Sequence, residues 1–276
     1  MKTVTFTESQ LDSIKRDIVK PITSFQKLSE CAYIGERKKN RYMYKYMDIE
    51  TAILCLKSNS IQFIEPTEWE DKYERRFYTA DYSLITTNKS YTPKLYACCF
   101  TFSKASEAAW KTYSYNKSGL ASRCVQFRIN KAKFRKILHE YAKKNKCKVY
   151  EGPIDYSYTD STINQLHLPT LKIHSLIFNK DFKLNNYLSL LLIKRQAFNY
   201  ENEYRFFIIP QIETNDKAIY PIINWSDIIE GINVDKQCSD IEIEILNHYC
   251  KEYKVTVTPE KFNLYENPDS QIKIEL

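Results

Sequence analysis

The 276-residue sequence carries 41 Lys and Arg against 34 Asp and Glu, which gives a formal net charge of +7. A chain of this length buries one sizeable core, and its moderate positive charge suits either a polyanionic partner or an ordinary soluble surface. The four glycines lie far apart, at positions 35, 119, 152 and 231. No Gly-x-Gly-x-x-Gly or P-loop motif can be written, which argues against a Rossmann or P-loop nucleotide site.

The cysteines and histidines do not predict a metal site. The eight cysteines form no Cys-x-x-Cys pair, and the four histidines are isolated from one another, whereas a structural zinc site needs clustered ligands. We therefore expect reduced thiols and a cytoplasmic location. The most apolar run, YLSLLLI at 187–193, is too short to cross a bilayer, so no membrane partner is expected.

The N-terminal segment 1–40 is predicted to be a helical extension. Apolar residues recur three or four apart from Leu11 to Leu28, after a capping box that Thr7 and Gln10 can form. The extension precedes the domain proper, which we place at 41–276.

The stretch ERKKNRYMYKY at 36–46 interleaves basic residues with tyrosines. Its second half alternates like a strand, and Asp48 can cap a helix that is followed by the short strand IQFIEP. Basic side chains can follow a nucleic-acid backbone while tyrosines stack on bases or on a nicotinamide ring. The alternative is a basic loop before an amphipathic strand. The candidate nucleic-acid contacts are Arg37, Lys38, Lys39 and Arg41.

A second block begins with LYACCFTFS, which is apolar enough for a buried strand. Ser103 is a candidate cap for a helix that places Trp110 and Tyr113 on one face, a pattern more typical of a core than of a ligand platform. The run SRCVQFRI then alternates as a strand, and Asn130 can cap the next helix.

The remaining chain adds strands and few helices. Residues 155–190 are polar with some helical character at 171–178, and they are followed by the strands AIYPII and IIEGINV. A helix is predicted at 239–253, and KVTVTPEKFNLYE alternates as a final strand. Strands without a regular strand-helix alternation predict an α+β fold, a single mixed domain with a central, mainly antiparallel sheet flanked by helices.

The most conspicuous charged pattern is YENEYRFFI at 200–208. In an extended chain Glu201, Glu203 and Arg205 share one face. The face can be a solvated, salt-bridged strand surface. It can also stabilise an oxocarbenium ion or hold a sugar hydroxyl, or bind a divalent metal together with Asp71 or Glu74. Spacing does not choose between these alternatives.

Four ordered blocks within 42–260 resemble a bacterial family catalogued as domain of unknown function twenty-nine seventy-one. The first is YMYKYMDIETAILCLKSNSIQFIEPTEWEDKYE, with a Tyr-Lys-Tyr strand, and the second is FTFSKASEAAWKTYSYNKSGLASRCVQF, with a Trp-x-x-Tyr pair followed by Gly119. The third is KRQAFNYENEYRFFI, in which Lys194 precedes Tyr-Glu-x-Glu-x-Arg, and the fourth is IIEGINV.

The order of these parts also resembles the ADP-ribosyltransferase fold in architecture. That resemblance implies an NAD-dependent effector of the toxin or phage-defence type, with NAD as its substrate, nucleic acid as its acceptor, and an antitoxin or defence-system protein as a partner. No metal is implied. The implied catalytic residues are Glu203 and its helper Glu201; the implied NAD-binding residues are Lys45, Tyr46, Ser103, Trp110, Tyr113 and Arg205.

Two other functions stay open on the sequence. One is a metal-dependent nuclease or phosphodiesterase that uses Asp71, Glu201, Glu203 and Lys194. The other is a non-catalytic module that binds nucleic acid or protein, in which the aromatic residues only build a core.

Overall fold

The computed structural model describes residues 7–9, 12, 32–33, 39–80, 93–114, 122–158, 160, 184–212 and 214–262. Most of the predicted N-terminal extension lies outside these residues, as do the predicted helical stretch 171–178, Arg37, Lys38 and Gly119. None of the helices in the described part is long and apolar enough to span a membrane.

Within the described residues the fold is mixed α/β, with a large, mostly antiparallel sheet flanked by helices, as predicted. The strands are β1 (Ala32–Tyr33), β2 (Tyr42–Asp48), β3 (Phe63–Ile64), β4 (Tyr96–Thr101), β5 (Cys124–Asn130), β6 (Cys147–Pro153), β7 (Glu203–Pro210), β8 (Ala218–Ile219), β9 (Ile229–Asp235) and β10 (Pro259–Phe262). Their order is β1-β6-β7-β4-β2-β5-β9-β10, and β3 joins β4 to β8. The β1–β6 and β9–β10 pairs are parallel, and every other recorded pair of strands is antiparallel.

Helices whose bounds lie within the described residues flank the sheet. They are α1 (Ile49–Ser58), α2 (Lys72–Thr79), α3 (Glu107–Thr112), α4 (Lys131–Asn145), α5 (Leu184–Leu190), α6 (Trp225–Ile228) and α7 (Asp240–Glu252). Two short 3₁₀ turns, Pro66–Glu68 and Gln196–Glu201, precede α2 and β7.

Three predicted helix starts are confirmed by their caps. The Asp48 carboxylate accepts a hydrogen bond from the Thr51 amide at 2.7 Å, Asn130 caps α4, and Ser239 caps α7 in a reciprocal capping box. These side chains satisfy backbone N–H groups that the first helical turn leaves without a partner.

The predicted cap at Ser103 is wrong. Helix α3 is capped by Ser106, whose hydroxyl accepts from the Ala109 amide at 3.2 Å. The Ser103 amide instead donates to the Thr101 hydroxyl at 2.9 Å. This local turn at the end of β4 occupies the Ser103 backbone, so the helix begins three residues later.

The prediction of an extended chain over residues 200–208 is also wrong at its N-terminal end. Residues Gln196–Glu201 form a 3₁₀ turn, Asn202 adopts a left-handed conformation with φ of 43°, and β7 begins only at Glu203. Asn tolerates this conformation better than most residues do. The left-handed residue turns the chain between the two glutamates, so Glu201 lies off the strand.

Five described elements had no counterpart in the sequence predictions: α2, α5, α6, β1 and β6. Of the strand predicted in the tail, the described residues form Pro259–Phe262, and positions 263–266 of that prediction lie outside the described residues. Strand β6 pairs with β7 along its whole length, although it carries the buried charge Glu151. This charged residue interrupts the alternation of apolar and polar residues by which a strand is recognised in a sequence.

The two faces of the sheet carry different cores. The larger core packs against α1, α4 and α7, and the smaller one against α2 and α5. Alternate residues of β7 enter the two cores: Tyr204, Phe206 and Ile208 the larger one, Phe207 and Ile209 the smaller one. By the same alternation Glu203 and Arg205 lie on the face of the smaller core.

The Asp48 cap gives a direct test of local stability. We expect Asp48→Ala to lower the free energy of unfolding by about 1–2 kcal/mol, because the Thr51 amide loses its acceptor. Urea unfolding followed by circular dichroism measures this loss. Asp48→Ser, which keeps a capping oxygen, is the control and should retain most of the stability. Equal midpoints for Asp48→Ala and the unmodified protein would contradict the capping role.

Candidate active site

A cleft of about 880 Å³ opens on the side of the sheet that carries α2. Its walls come from the start of α2, the end of α3, the 3₁₀ turn before β7, and residues of β2, β4 and β7. Five charged residues meet in it, and we call them the charged cluster: Glu74, Lys194, Glu201, Glu203 and Arg205.

Arg205 lies at the centre of the charged cluster and is 2% exposed. Its Nε donates to Glu203 Oε1 at 2.6 Å, its Nη2 donates to Glu203 Oε2 at 2.9 Å and to Glu74, and its Nη1 donates to the Leu191 carbonyl at 2.8 Å. The Trp69 ring lies against the guanidinium, 4.3 Å from its carbon. A buried guanidinium requires this degree of pairing, because an unpaired charge away from water is very costly.

Lys194 connects the three carboxylates of the cluster. Its Nζ lies 2.5 Å from Glu201, 3.2 Å from Glu203 and 3.2 Å from Glu74. The Lys194 amide donates to the Asp155 carbonyl, which fixes the backbone beside β6. A single ammonium group therefore sets the relative positions of the two glutamates that the sequence singled out.

The backbone of both glutamates is anchored as well. The Thr101 hydroxyl at the end of β4 donates to the Glu201 carbonyl at 2.5 Å. The Glu203 amide donates to the Tyr156 hydroxyl at 3.0 Å, and the Glu203 carbonyl accepts from the Ile154 amide at 3.0 Å. Neither carboxylate depends on a free loop for its position.

The two glutamates differ in depth. The Glu203 side chain is 8% exposed and the Glu201 side chain is 31% exposed. With every group ionised, three carboxylates face two cations, so the charged cluster carries one excess negative charge.

The environment moves the two carboxyl pKa values in opposite directions. Burial alone would raise the pKa of Glu203, but the charges of Arg205 and Lys194 outweigh burial and hold this pKa well below its usual range. Burial raises the pKa of Glu201; Lys194 opposes this rise and Glu203 adds to it. Burial would lower the pKa of Lys194, yet the neighbouring Glu203 and Glu74 raise it, so the ammonium stays charged. Glu201 is thus the carboxyl of this pair that is suited to exchanging a proton.

An arginine and two aromatic rings form the rim next to the cluster. Arg195 pairs with Asp71 at 3.3 Å, and its guanidinium carbon lies 4.4 Å from the centre of the Tyr73 ring and 4.9 Å from that of Phe198. Such stacking fixes the plane of the guanidinium and of both rings.

The opposite wall is aromatic and carries one cation. Tyr46 stacks on Tyr113 at 6.3 Å between ring centres, and its ring meets Trp110 edge to face at 5.2 Å. The Lys45 ammonium donates to the Cys99 carbonyl at 2.8 Å and lies 5.5 Å from the Phe100 ring.

Most of the residues that the sequence pointed to come together in this cleft. Its lining includes Glu201, Glu203, Arg205, Lys45, Tyr46 and Tyr113. Trp110 does not line the cleft but supports Tyr46 from behind, and Trp110 is itself stacked on Phe262. Ser103 is absent from the lining, and the capping residue Ser106 is present in it.

Two of the four candidate nucleic-acid residues, Lys39 and Arg41, are described, and they differ from Tyr44, Lys45 and Tyr46 at the end of the same stretch, which line the cleft. Neither Lys39 nor Arg41 lines it. Arg41 is paired with Glu230 at 3.6 Å and stacks on Tyr42, 5.0 Å from the ring centre.

Sequence analysis missed two partners of Arg205. Trp69 had no assigned role, and Glu74 entered only as a metal ligand. Both lie in TEWEDKYE, and this run of acidic residues around a tryptophan just before a helix was the available signal. Glu74 and Arg205 are 131 positions apart, so spacing in the sequence does not connect them.

Comparison with known proteins assigns no family to the chain. A scan against protein-family models, a search of curated proteins and a search of solved structures each found no match. Within the described residues no group of three or more His, Cys, Asp and Glu is arranged to hold a metal ion. The geometry of the cleft is therefore the basis for inferring its chemistry.

The buried pair of Glu203 and Arg205 predicts a large loss of stability when it is broken. We expect Glu203→Gln to lower the free energy of unfolding at neutral pH by about 3–5 kcal/mol, because the buried Arg205 loses a charged partner. Asp71→Asn breaks the more exposed pair with Arg195 and should cost at most about 1 kcal/mol. Chemical unfolding of both variants measures the difference.

The difference in unfolding free energy between the unmodified protein and Glu203→Gln should also depend on pH. The folded-state pKa of Glu203 is depressed, so its contribution to stability is present above the unfolded-state pKa of glutamate and is lost as the pH falls towards the folded-state pKa. The gap between the unmodified protein and Glu203→Gln should therefore narrow on acidification. A gap that stays constant from neutral to acid pH would contradict the ionised, paired state of Glu203.

Proposed function

We propose that the protein is an NAD-dependent ADP-ribosyltransferase, an effector of the toxin or phage-defence type. One observation carries the proposal: Lys194 holds Glu201 and Glu203 at different depths of one cleft, with one carboxyl fixed in its ionised form and the other with a raised pKa. Pairs of carboxyl groups whose environments separate their pKa values are typical of sites that divide two roles between them.

The opposite wall supports NAD as the ligand. NAD carries two negative phosphates between flat ring systems. Among the described residues Lys45 has no carboxylate partner, so its charge is available to the phosphates. The stacked rings of Tyr46 and Tyr113 offer a surface to a flat ring at the same wall.

The proposed reaction breaks the bond between the ribose C1′ and the nicotinamide nitrogen. Nicotinamide leaves with the bonding electron pair, and an oxocarbenium-like ribose remains. An acceptor nucleophile then forms the new bond to C1′ and gives up a proton. We assign the proton to Glu201, because its carboxyl is more exposed and has the raised pKa, and a positioned base typically contributes roughly 10²–10⁴-fold. We assign to the ionised Glu203 the roles of accepting a hydrogen bond from a ribose hydroxyl and of stabilising the positive charge.

The charged cluster argues against the metal-dependent nuclease. Lys194 and Arg205 already pair with both carboxylate oxygens of Glu74 and of Glu203, and Lys194 pairs with Oε2 of Glu201. A divalent ion bound to these oxygens would have to displace the ammonium of Lys194, whose side chain is 11% exposed, and the buried guanidinium of Arg205. The NAD reaction uses the same carboxylates with both cations in place.

Release of nicotinamide tests the proposed function. The purified protein is incubated with NAD and nucleic acid, and nicotinamide is quantified by chromatography. We expect Glu201→Gln to lower the rate by roughly 10²–10⁴-fold. Glu68→Gln is the matched control, because Glu68 lines the same cleft outside the charged cluster, and it should behave as the unmodified protein does. Metal-dependent cleavage of nucleic acid without consumption of NAD would overturn the proposal.

The raised pKa of Glu201 predicts the pH dependence of the reaction. The base must be ionised, so kcat/KM should fall as the pH drops through a value above that of an ordinary glutamate. The acid limb of the pH profile should be missing from the residual activity of Glu201→Gln. An acid limb that is unchanged in this variant would assign the base to another residue.

A further inference from the structure

Exposed aromatic side chains of the described residues are concentrated at the cleft. Four tyrosines of the described residues are well exposed: Tyr73, Tyr113, Tyr200 and Tyr220. Three of them, all except Tyr220, line the cleft, and each comes from a different element. Tyr73 is 39% exposed, Tyr113 is 44% exposed and Tyr200 is 48% exposed. Exposed apolar surface gathered at one place marks a binding site, and here it lines the same cleft as Glu201, the residue that follows Tyr200.

Helix α2 adds positive charge beside these rings. Lys72 and Arg76 are exposed and lie four residues apart, which places them on the same side of the helix. Within the described part of the chain neither makes an ion pair. The acidic residue of the helix, Glu74, is 6% exposed and is turned inwards to Arg205. The outer side of α2 is therefore basic next to Tyr73.

Acidic residues at the same rim do not cancel this charge. Glu68 pairs with Lys217 at 3.6 Å, and Asp71 pairs with Arg195 at 3.3 Å. Glu70 is also an exposed carboxylate at this rim, so its single negative charge is outnumbered by the two positive charges of Lys72 and Arg76.

We propose that single-stranded nucleic acid binds along the outer side of α2 and enters the cleft there. The phosphates lie against Lys72 and Arg76, and bases stack on Tyr73 and Tyr200, so that one base reaches Glu201. A basic surface with interleaved aromatic rings is the usual means of binding a single strand, whose unpaired bases expose their faces. A duplex hides those faces, so it is not the expected ligand.

This surface differs from the one that the sequence suggested. Arg41 is 71% exposed but is engaged with Glu230 and Tyr42, away from the cleft. Helix α2 instead contributes Lys72 to the lining of the cleft that contains Glu201, and Arg76 extends the same side of the helix. The chemical fate of the bound nucleic acid rests on the proposed function; its binding does not.

Fluorescence anisotropy with a labelled single-stranded oligonucleotide of mixed sequence, without NAD, tests the proposal. We expect the double variant Lys72→Gln/Arg76→Gln to bind at least tenfold more weakly. We also expect the slope of log affinity against log salt to fall by about 1.4, since each lost phosphate contact on a single strand accounts for about 0.7. Tyr73→Ala should weaken binding by roughly tenfold through lost base stacking.

Matched controls come from the same chain. Lys143→Gln/Lys144→Gln removes two exposed lysines from α4 outside the cleft, and Tyr220→Ala removes the exposed tyrosine that does not line it. Both should bind the oligonucleotide as the unmodified protein does. No binding by the unmodified protein, equal losses in the α2 and α4 double variants, or duplex bound as tightly as single strand would each overturn the proposal.

The outcomes separate this proposal from the proposed function. Binding that depends on Lys72 and Arg76 without any nicotinamide release supports the surface and contradicts the transferase. Nicotinamide release by a protein that does not bind the oligonucleotide supports the transferase and contradicts the surface.

Discussion

The burial of Arg205 within strand β7 is the constraint on which the cleft depends. A guanidinium this deep needs carboxylate and carbonyl partners on all sides, and they come from three separate parts of the chain: Glu203 on the same strand, Glu74 on α2, and the Leu191 carbonyl after α5. Satisfying this one side chain therefore brings α2 and the segment before β7 onto the same face of the sheet. The cleft lies where these parts meet.

The distribution of charge around Arg205 separates the two glutamates. Three carboxylates share two cations, and Glu203, the deeper of the two glutamates next to β7, pairs with both cations, whereas Glu201 pairs with Lys194 alone. The excess negative charge falls on Glu201, which is the most exposed member and whose pKa is raised. The same interactions that stabilise the fold thus leave one carboxyl at the surface of the cleft with a proton affinity suited to acid–base chemistry. The proposed transferase reaction uses this difference, with Lys194 keeping both groups in place.

Local chemistry made part of this structure predictable. Asp48, Asn130 and Ser239 cap their helices because a short polar side chain before an apolar helical face satisfies backbone groups within the same turn. The alternation in SRCVQFRI gave strand β5 for the same kind of local reason. That Lys45, Tyr46 and Tyr113 line one cleft with the two glutamates was implied only by the resemblance in architecture to the ADP-ribosyltransferase fold, and spacing alone left it open.

Features that depend on distant contacts were not predictable. The Ser103 amide donates to the Thr101 hydroxyl in a turn at the end of β4, so Ser106 rather than Ser103 caps helix α3, which starts at Glu107. Glu201 left the strand because Asn202 takes a left-handed conformation, which the alternating pattern does not reveal. The pairing of Glu74 with Arg205 joins residues far apart in the chain, and only the folded sheet brings them together.

The central claim is that Glu201 faces the reacting bond of NAD within this cleft. A crystal structure of the Glu201→Gln variant with NAD tests it most directly, because the slowed reaction preserves the ligand. The account predicts a hydroxyl of the nicotinamide ribose within hydrogen-bond reach of Glu203, about 2.6–3.2 Å, with the ribose C1′ facing position 201 and the phosphates next to Lys45. A cleft without NAD at saturating concentration, or NAD bound with its phosphates against the charged cluster, would contradict the account.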